Sequence, residues 1–261
     1  MTLVLLLLAL VGFLTWAALR GGILRPEGMP VQAGSSGIVL ALVAVLLAML
    51  LLGIVGGLAL ITTIVVHEFG HVAAFRVAGH ADARFRLIPL VGGVAISKRR
   101  PLTDAHDLYI TIMGPGICLV LMAGAAILAG TPVGQIEPIG QYLTAVALYS
   151  GALNFLNLLP IYPLDGGRIA AVTLGAVAPV WTRYGLIGVS GAILLYSIAT
   201  LQLFLMILSL LSLSAARQIG RAPEERRLSS GLVVLGLAVW GLMITAFWIG
   251  GRGILQAQTG F

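Results

Sequence analysis

Three ionisable residues lie together in an otherwise apolar stretch of this chain, within the sequence His67-Glu68-Phe69-Gly70-His71. On a helix, residues four positions apart share a face and lie about 5–6 Å from each other. Both imidazoles can therefore reach one metal ion, and Glu68 stays within reach of a water molecule bound to that ion. The preceding run, residues 61–66, carries no charge. Ionisable side chains next to such a run are costly unless they pair, bind a metal or face a water-filled cavity.

The composition is that of a membrane protein. Hydrophobic residues make up 59% of the 261 positions and charged residues only 9%, whereas soluble domains carry about 25% charged residues. No polar stretch is long enough for a soluble domain, so we expect a single transmembrane domain over residues 1–261. The net charge of +6 comes from residues between the apolar runs, which argues against nucleic-acid binding. The single cysteine, Cys118, excludes intramolecular disulfides and indicates a small core side chain.

Apolar runs of about 17–25 residues, the length that spans a bilayer, predict an all-α polytopic fold with about eight transmembrane helices. The run over residues 184–215 is too long for one span, and Thr200 and Gln202 predict a turn that makes it a helical hairpin. Glycines 53, 56 and 57 predict a break between the second and third spans. The first run lacks a basic leader and a cleavage site, so we expect a retained span. The predicted spans are 2–19, 37–54, 57–78, 107–129, 139–159, two within 184–215, and 231–249.

Basic residues set the orientation of such helices because they stay preferentially on the cytoplasmic side. When the loop after the histidine pair is placed in the cytoplasm, 14 of the 15 basic residues fall on that side, and the exception is Arg252. This arrangement predicts a candidate site near the cytoplasmic face, with both termini external. We expect a multi-pass protein of the cell membrane. The Leu-, Ala-, Gly- and Arg-rich composition favours a bacterial inner membrane.

The segment 79–106 differs from the other connections. Residues 85–90 and 91–96 form two short segments of partly alternating polarity, with Gly92-Gly93 between them. This pattern predicts a small β-hairpin at the cytoplasmic interface. The alternative is an ordinary solvated loop. His80 and His106 lie in this segment, and we expect them to be solvated residues rather than ligands.

A second informative stretch runs from Asn157 to Arg168, with Pro160, Pro163 and Asp165 inside it. The prolines prevent regular helical hydrogen bonding, and irregular backbone at membrane depth needs protein or a water-filled cavity to satisfy it. The orientation places Asp165 on the same side as the histidine pair, where a carboxylate is a normal third zinc ligand. A helix cap or turn is the alternative for Asp165 because two glycines follow it.

Three neighbouring residues have simpler interpretations. Asn157 can satisfy backbone groups that Pro160 frees. Asn154, one turn earlier, suits packing or an interhelical hydrogen bond. Arg168 suits an interfacial position with its charged end in the headgroup region.

The paired motifs, H-E-x-x-H and N-x-x-P-x-x-P-L-D-G-G, resemble those of the site-2 protease family of intramembrane zinc metalloproteases, over residues 57–170. The resemblance implies zinc ligands at His67, His71 and Asp165, with Glu68 as the general base. It also implies that Asn157 holds the substrate strand. Members often carry Gly-Pro-x-x-Asn in the next span, but here residues 114–118 lack the asparagine.

The resemblance implies an endopeptidase that cleaves transmembrane segments of other membrane proteins, with a water on one zinc ion per chain activated by Glu68. The catalytic core would be residues 57–170, with accessory spans over 1–54 and 183–251, in a compact form without an inserted PDZ or appended CBS domain. The partners are then the bilayer and a membrane-protein substrate, with no nucleic acid. The sequence does not predict the oligomeric state.

Two non-catalytic alternatives concern the same residues. A metal transporter would carry several ionisable groups along a path, whereas those predicted at membrane depth form one cluster. A degenerate protease that binds helices would have lost Glu68 or a ligand, and all four residues are present.

Overall fold

The fold is mostly helical, with one small sheet. A computed structural model of the chain describes residues 2–24, 35–88, 92–99, 101–216 and 227–259. The elements in chain order are α1 (Thr2–Ile23), α2 (Ser35–Val77), β1 (Arg84–Ile88), β2 (Gly92–Ile96), α3 (Asp104–Ala129), a 3₁₀ turn (Pro132–Gln135), α4 (Ile139–Asn157), α5 (Asp165–Val177), α6 (Pro179–Ala199), α7 (Leu203–Ala216) and α8 (Ser230–Thr259).

Several of the described helices are long and apolar enough to cross a bilayer. Four meet this description by length and composition, and two shorter helices are also apolar. The four are Ile38–Val77, Asp104–Ala129, Pro179–Ala199 and Ser230–Gln256, and the shorter two are Ala9–Ile23 and Leu205–Ser214. The prediction of a helical membrane protein is therefore confirmed in this coarser form. The count of eight spans stays a prediction.

Helix α2 changes direction at Gly53, whose φ of 74° and ψ of 170° are not helical. Only glycine adopts such a positive φ without steric cost. Beyond this point Gly57 packs against Met49, so closely that a Cβ atom on Gly57 would stand 2.5 Å from the Met49 amide nitrogen. Residues eight positions apart lie about 12 Å apart in a straight helix, so this contact requires a sharp reversal. The predicted break between two spans is therefore present, at Gly53.

Helix α2 ends in a glycine-dependent cap that directs the chain toward the sheet. Gly79 has a φ of 90°, and the His80 amide donates to the Phe75 carbonyl at 2.9 Å while the Gly79 amide donates to Arg76 at 3.0 Å. These two bonds form a Schellman motif, which satisfies carbonyls left open at a helix end. The rings of Phe75 and His80 pack across it, 5.3 Å apart.

Strands β1 and β2 pair antiparallel, from Arg84 opposite Ile96 to Ile88 opposite Gly92. A hairpin is thus present where the sequence left a solvated loop as the alternative, although the connecting residues 89–91 lie outside the described part of the chain. The expectation that Gly92-Gly93 separates the two segments is wrong, because the register places both glycines inside β2. The side of the membrane on which the hairpin lies stays a prediction.

The base of this hairpin is held by polar contacts rather than left in solvent. His80 is 4% exposed, and its Nδ1 lies 2.8 Å from the Ser97 hydroxyl. The Lys98 amide donates to the Asp82 carboxylate at 2.6 Å, and this bond is the main reason why the pKa of Asp82 is lowered. The expectation of a solvated His80 is therefore wrong. The cap at Gly79 turns its ring onto Phe75 and Ser97.

The proline-rich stretch after α4 is irregular, as predicted. Residues 158–164 form turns and bends, and α5 begins at Asp165. Helix α5 has 13 residues, too few for a bilayer span, and was not predicted from the sequence. Farther along, α6 ends at Ala199 and α7 begins at Leu203. Leu201, between them, has a φ of 55°. The predicted hairpin with its turn at Thr200–Gln202 is therefore present.

The chain folds as two compact units. One comprises residues 1–100, 113–154 and 245–261, and the other comprises residues 101–112 and 155–244. In the first unit, Gly22 of α1 packs directly on the backbone of Ala73 in α2. In the second, the hydroxyls of Ser190 in α6 and Ser212 in α7 are hydrogen-bonded at 2.5 Å. The single-domain interpretation stays a prediction.

Of the residues used to predict orientation, Arg25, Arg100, Arg217, Arg221 and Arg226 lie outside the described part.

Candidate metal centre

The two histidines of the first motif face the same point in space. His67 and His71 lie one turn apart near the end of α2, and their Nε2 atoms are 3.1 Å apart. The rings meet edge to face, with centroids 4.8 Å apart. Both side chains are buried, at 2% and 5% exposure. The helical spacing therefore converges two imidazole nitrogens within the reach of one cation.

Glu68, the residue between them, is buried under strand β2. It is 6% exposed, and a Cβ atom on Gly93 would stand 2.7 Å from its Cδ and 2.9 Å from its Oε1. Real Cβ atoms essentially never approach so closely, so a side chain at position 93 would force Glu68 to move. Because alternate residues of a strand share a face, the register places Gly93 and Ala95 toward α2. The strand backbone thus covers the glutamate directly.

Glycines also let α3 approach the motif. A Cβ atom on Gly70 would stand 2.8 Å from Ile117 and closer still to the Met113 carbonyl. A Cβ atom on Gly114 would stand 2.8 Å from Cδ2 of His71 and closer to its Cε1 and Nε2. Small residues allow such close helix contacts in membranes. The missing asparagine of the Gly-Pro-x-x-Asn pattern leaves this contact unaffected, since the glycine makes it.

His67 has a partner on α4 that the sequence analysis did not assign to the site. Its Nδ1 lies 2.8 Å from Oδ1 of Asn154, whose side chain is fully buried. The Asn154 amide nitrogen donates to the Ser150 carbonyl at 2.8 Å. An interhelical hydrogen bond was one of the two interpretations of Asn154, but its partner was not predictable without the packing of α2 and α4.

Asp165 occupies the first turn of α5 and is 7% exposed. Gly166 and Gly167 pack on the preceding turn, where Cβ atoms would overlap the backbone of residues 158, 159, 161 and 162. The two glycines therefore allow α5 to approach the preceding backbone closely. The N-cap position is Leu164, so Asp165 is the first residue of the helix rather than its cap, and the helix dipole favours a carboxylate there.

His67 and His71 lie in the first compact unit of the chain and Asp165 lies in the second. Each of the three offers one atom that can bind a metal ion. Two imidazoles and a carboxylate are a donor set that zinc commonly takes in catalytic sites, with a fourth position for water or substrate. The residues present therefore fit a zinc ion.

The other predicted residues lie as follows. Asn157 is the last residue of α4 and is partly exposed. Arg168 donates to Asp107 of α3 in a partly buried ion pair, so it does not only place its charge at the interface. His106 lies at the start of α3, where Thr103 accepts a hydrogen bond from its amide at 3.2 Å. Cys118 is fully buried, as a core residue is expected to be.

Comparisons with known proteins found the following similarities. The model of Peptidase family M50 matches residues 125–198. A putative zinc metalloprotease of Synechocystis, sll0528, is 30% identical over 119 residues, covering 46% of this chain and 31% of the relative. The zinc metalloprotease MJ0392 of Methanocaldococcus jannaschii is 29% identical over 177 residues, covering 63% and 49%. The solved site-2 protease from the same organism matches with a TM-score of 0.45 and 21% identity, covering 75% of this chain and 92% of that one.

The chain is therefore similar to proteins named as zinc metalloproteases. Within that class, the predicted resemblance to the site-2 protease family is confirmed by the family match and the named relatives. The chain spans about a third to a half of the length of these curated relatives, at 31% and 49%.

Proposed function

We propose that this protein is an intramembrane zinc endopeptidase that cleaves transmembrane segments of other membrane proteins. His67, His71 and Asp165 would hold one zinc ion, and Glu68 would act as the general base. One observation carries the proposal: two buried imidazoles whose Nε2 atoms lie 3.1 Å apart, with a glutamate between them in the sequence of an apolar helical chain. Relatives named as zinc metalloproteases support the same chemistry.

Zinc supplies a Lewis acid when bound: it lowers the pKa of water toward about 7 and polarises a carbonyl. The remaining work falls to the protein. Glu68 follows His67 directly and is shielded by β2, so its carboxylate meets a water-poor environment in which electrostatic interactions are strong. It would take a proton from the attacking water and deliver it to the leaving amine.

A transmembrane substrate would have to unwind before cleavage. A helix keeps its amides in bonds to the fourth preceding carbonyl, so its scissile carbonyl is not free for attack. The hairpin of β1 and β2 offers a strand edge to which an unwound segment can pair. Asn157, at the end of α4, would hydrogen-bond the backbone of that segment.

The same proposal includes a topology. Residues 57–170 would form the catalytic core of one transmembrane domain, with accessory spans over 1–54 and 183–251 and eight spans in all. The site and the hairpin would lie near the cytoplasmic face of a bacterial inner membrane, and both termini would be external. The distribution of the 15 basic residues along the sequence supports this orientation.

The test is cleavage of co-expressed single-span membrane proteins by the wild type and by Glu68→Gln. The amide keeps the size of the side chain but cannot act as a base, so we expect full zinc content and no cleavage above background. Candidate substrates come from comparing the membrane proteomes of cells with each variant. Undiminished cleavage by Glu68→Gln would refute the mechanism. A purified wild type without about one zinc per chain would refute the metal site, as would unchanged zinc content in Asp165→Ala.

A further inference from the structure

Helices α2 and α4 meet along a short polar ladder inside the first compact unit. Thr63 and His67 lie four positions apart on α2, and Ser150 and Asn154 lie four positions apart on α4. The hydroxyls of Thr63 and Ser150 are 3.3 Å apart, and the His67 Nδ1 and Asn154 Oδ1 atoms are 2.8 Å apart. All four side chains are buried. The contact between His67 and Asn154 therefore involves a residue of the candidate metal centre.

The orientation of the Asn154 amide follows from its second contact. One end of the amide faces the Ser150 carbonyl oxygen at 2.8 Å, and a carbonyl oxygen can only accept. That end must be the NH₂ group. The distance to His67 alone would not distinguish the oxygen of the Asn154 amide from its nitrogen. The opposite end, which faces His67, is then the amide oxygen.

An amide oxygen also can only accept, so Nδ1 of His67 must carry a proton. A neutral imidazole that is protonated at Nδ1 has its lone pair at Nε2. Nε2 is the nitrogen that lies 3.1 Å from Nε2 of His71. We infer that Asn154 is a positioning residue that fixes the tautomer and ring orientation of His67, so that Nε2 is presented to a metal ion.

The role of Asn154 in metal binding rests on the proposed function, whereas the tautomer of His67 follows from the hydrogen bonds alone. Partners of metal-binding histidines typically change metal affinity by about 10- to 100-fold when removed. Asn154 would act in the same way, without contacting the metal or a substrate. A residue that only packs α2 against α4 would alter stability and leave metal affinity unchanged.

The experiment compares three variants of the full chain purified in detergent. Asn154→Leu keeps the branching at Cγ and the number of side-chain heavy atoms and removes the acceptor, whereas Asn154→Asp keeps an acceptor oxygen toward His67. Thr62→Val is the matched control, because Thr62 and Tyr142 form another hydrogen bond between α2 and α4, at 2.8 Å, away from His67. The zinc dissociation constant is measured by chelator competition, and thermal unfolding of the metal-free chains reports on packing.

We expect Asn154→Leu to raise the zinc dissociation constant by about 10- to 100-fold, with Asn154→Asp within a few-fold of wild type and Thr62→Val unchanged. Nitrogen NMR of ring-labelled histidine in the metal-free wild type should show His67 protonated at Nδ1. Wild-type affinity in Asn154→Leu overturns the inference, and so does an equal loss in Asn154→Asp. If Asn154→Leu does not fold, a His67 ring protonated at Nε2 in the wild type overturns it instead. A wild type that binds no zinc refutes the proposed function, while the NMR result still decides the tautomer.

Discussion

Replacing Gly114 by alanine should displace His71, a proposed zinc ligand, without changing the identity of that residue. The Cβ atom that Gly114→Ala adds would stand 2.8 Å from Cδ2 of His71 and nearer still to Cε1 and Nε2, whereas ordinary contact begins at 3.4 Å. The ring must therefore move by at least 0.6 Å at Cδ2, the difference between 3.4 and 2.8 Å, and by more at Nε2. Retreat of α3 is the other way to relieve the overlap, and it would break the packing of Gly70 on Met113.

The size of the effect follows from the tolerance of zinc sites. Ligand distances in such sites hold to within about 0.2 Å, and the forced displacement is several times larger. We expect zinc affinity to fall on the order of 100-fold, which corresponds to about 2.8 kcal/mol. The intrinsic preference of helices for alanine over glycine, about 0.8–1 kcal/mol, acts in the opposite direction on folding.

Gly116→Ala is the matched control because it lies two positions along the same helix. A Cβ atom there would meet nothing closer than a Met113 methyl at 3.9 Å. Chelator competition on the two purified variants should show wild-type zinc affinity for Gly116→Ala and the large loss for Gly114→Ala, with thermal unfolding of the metal-free chains similar. Equal zinc affinity in the two variants would show that α3 does not confine the His71 ring, and would refute this prediction.

Two further predictions concern the hairpin. Gly93→Ala should reduce cleavage about 100-fold with normal zinc content, because a shift of about 1 Å in a catalytic group such as the proposed base Glu68 has that cost. Val94→Ala, on the opposite face of the strand, is the control. Equal cleavage rates in the two variants would contradict the contact between Gly93 and Glu68. Asp82→Asn should lower the thermal unfolding temperature at neutral pH. The lowered pKa of Asp82 stabilises the fold above about pH 4 and ceases to do so as the pH falls through it. The difference should therefore shrink as the pH falls below about 4, and a difference that does not shrink in acid would contradict this account.

The local part of the site was predictable because it depends on spacing along one element. His67 and His71 meet because residues four apart share a helix face, and this holds wherever the helix lies. The irregular backbone before Asp165 was predictable for the same reason, since Pro160 and Pro163 act on their own neighbours. The hairpin followed from alternation within a short stretch of residues.

The features that were not predicted, or were predicted wrongly, mostly depend on contacts between distant segments. The partner of Asn154 required the register of α4 against α2, which no local pattern in the sequence encodes. The glycine pair at 92 and 93 suggested a turn, because glycine favours turns. In the structure Gly93 serves instead to let a strand cross Glu68. Helix α5 was missed because its 13 residues are too few for the span length on which the helices were predicted.

The glycines explain how a membrane chain tolerates this cluster of ionisable groups. Gly70, Gly93 and Gly114 each remove a side chain where backbone from α3 or β2 presses on the motif. Backbone at such close range excludes lipid and leaves His71 and Glu68 little rotamer freedom. The cost of a polar group at membrane depth falls when protein surrounds it. A larger residue at any of the three positions would therefore open the site and loosen its geometry together, so the apolar setting and the precision of the site have the same structural origin.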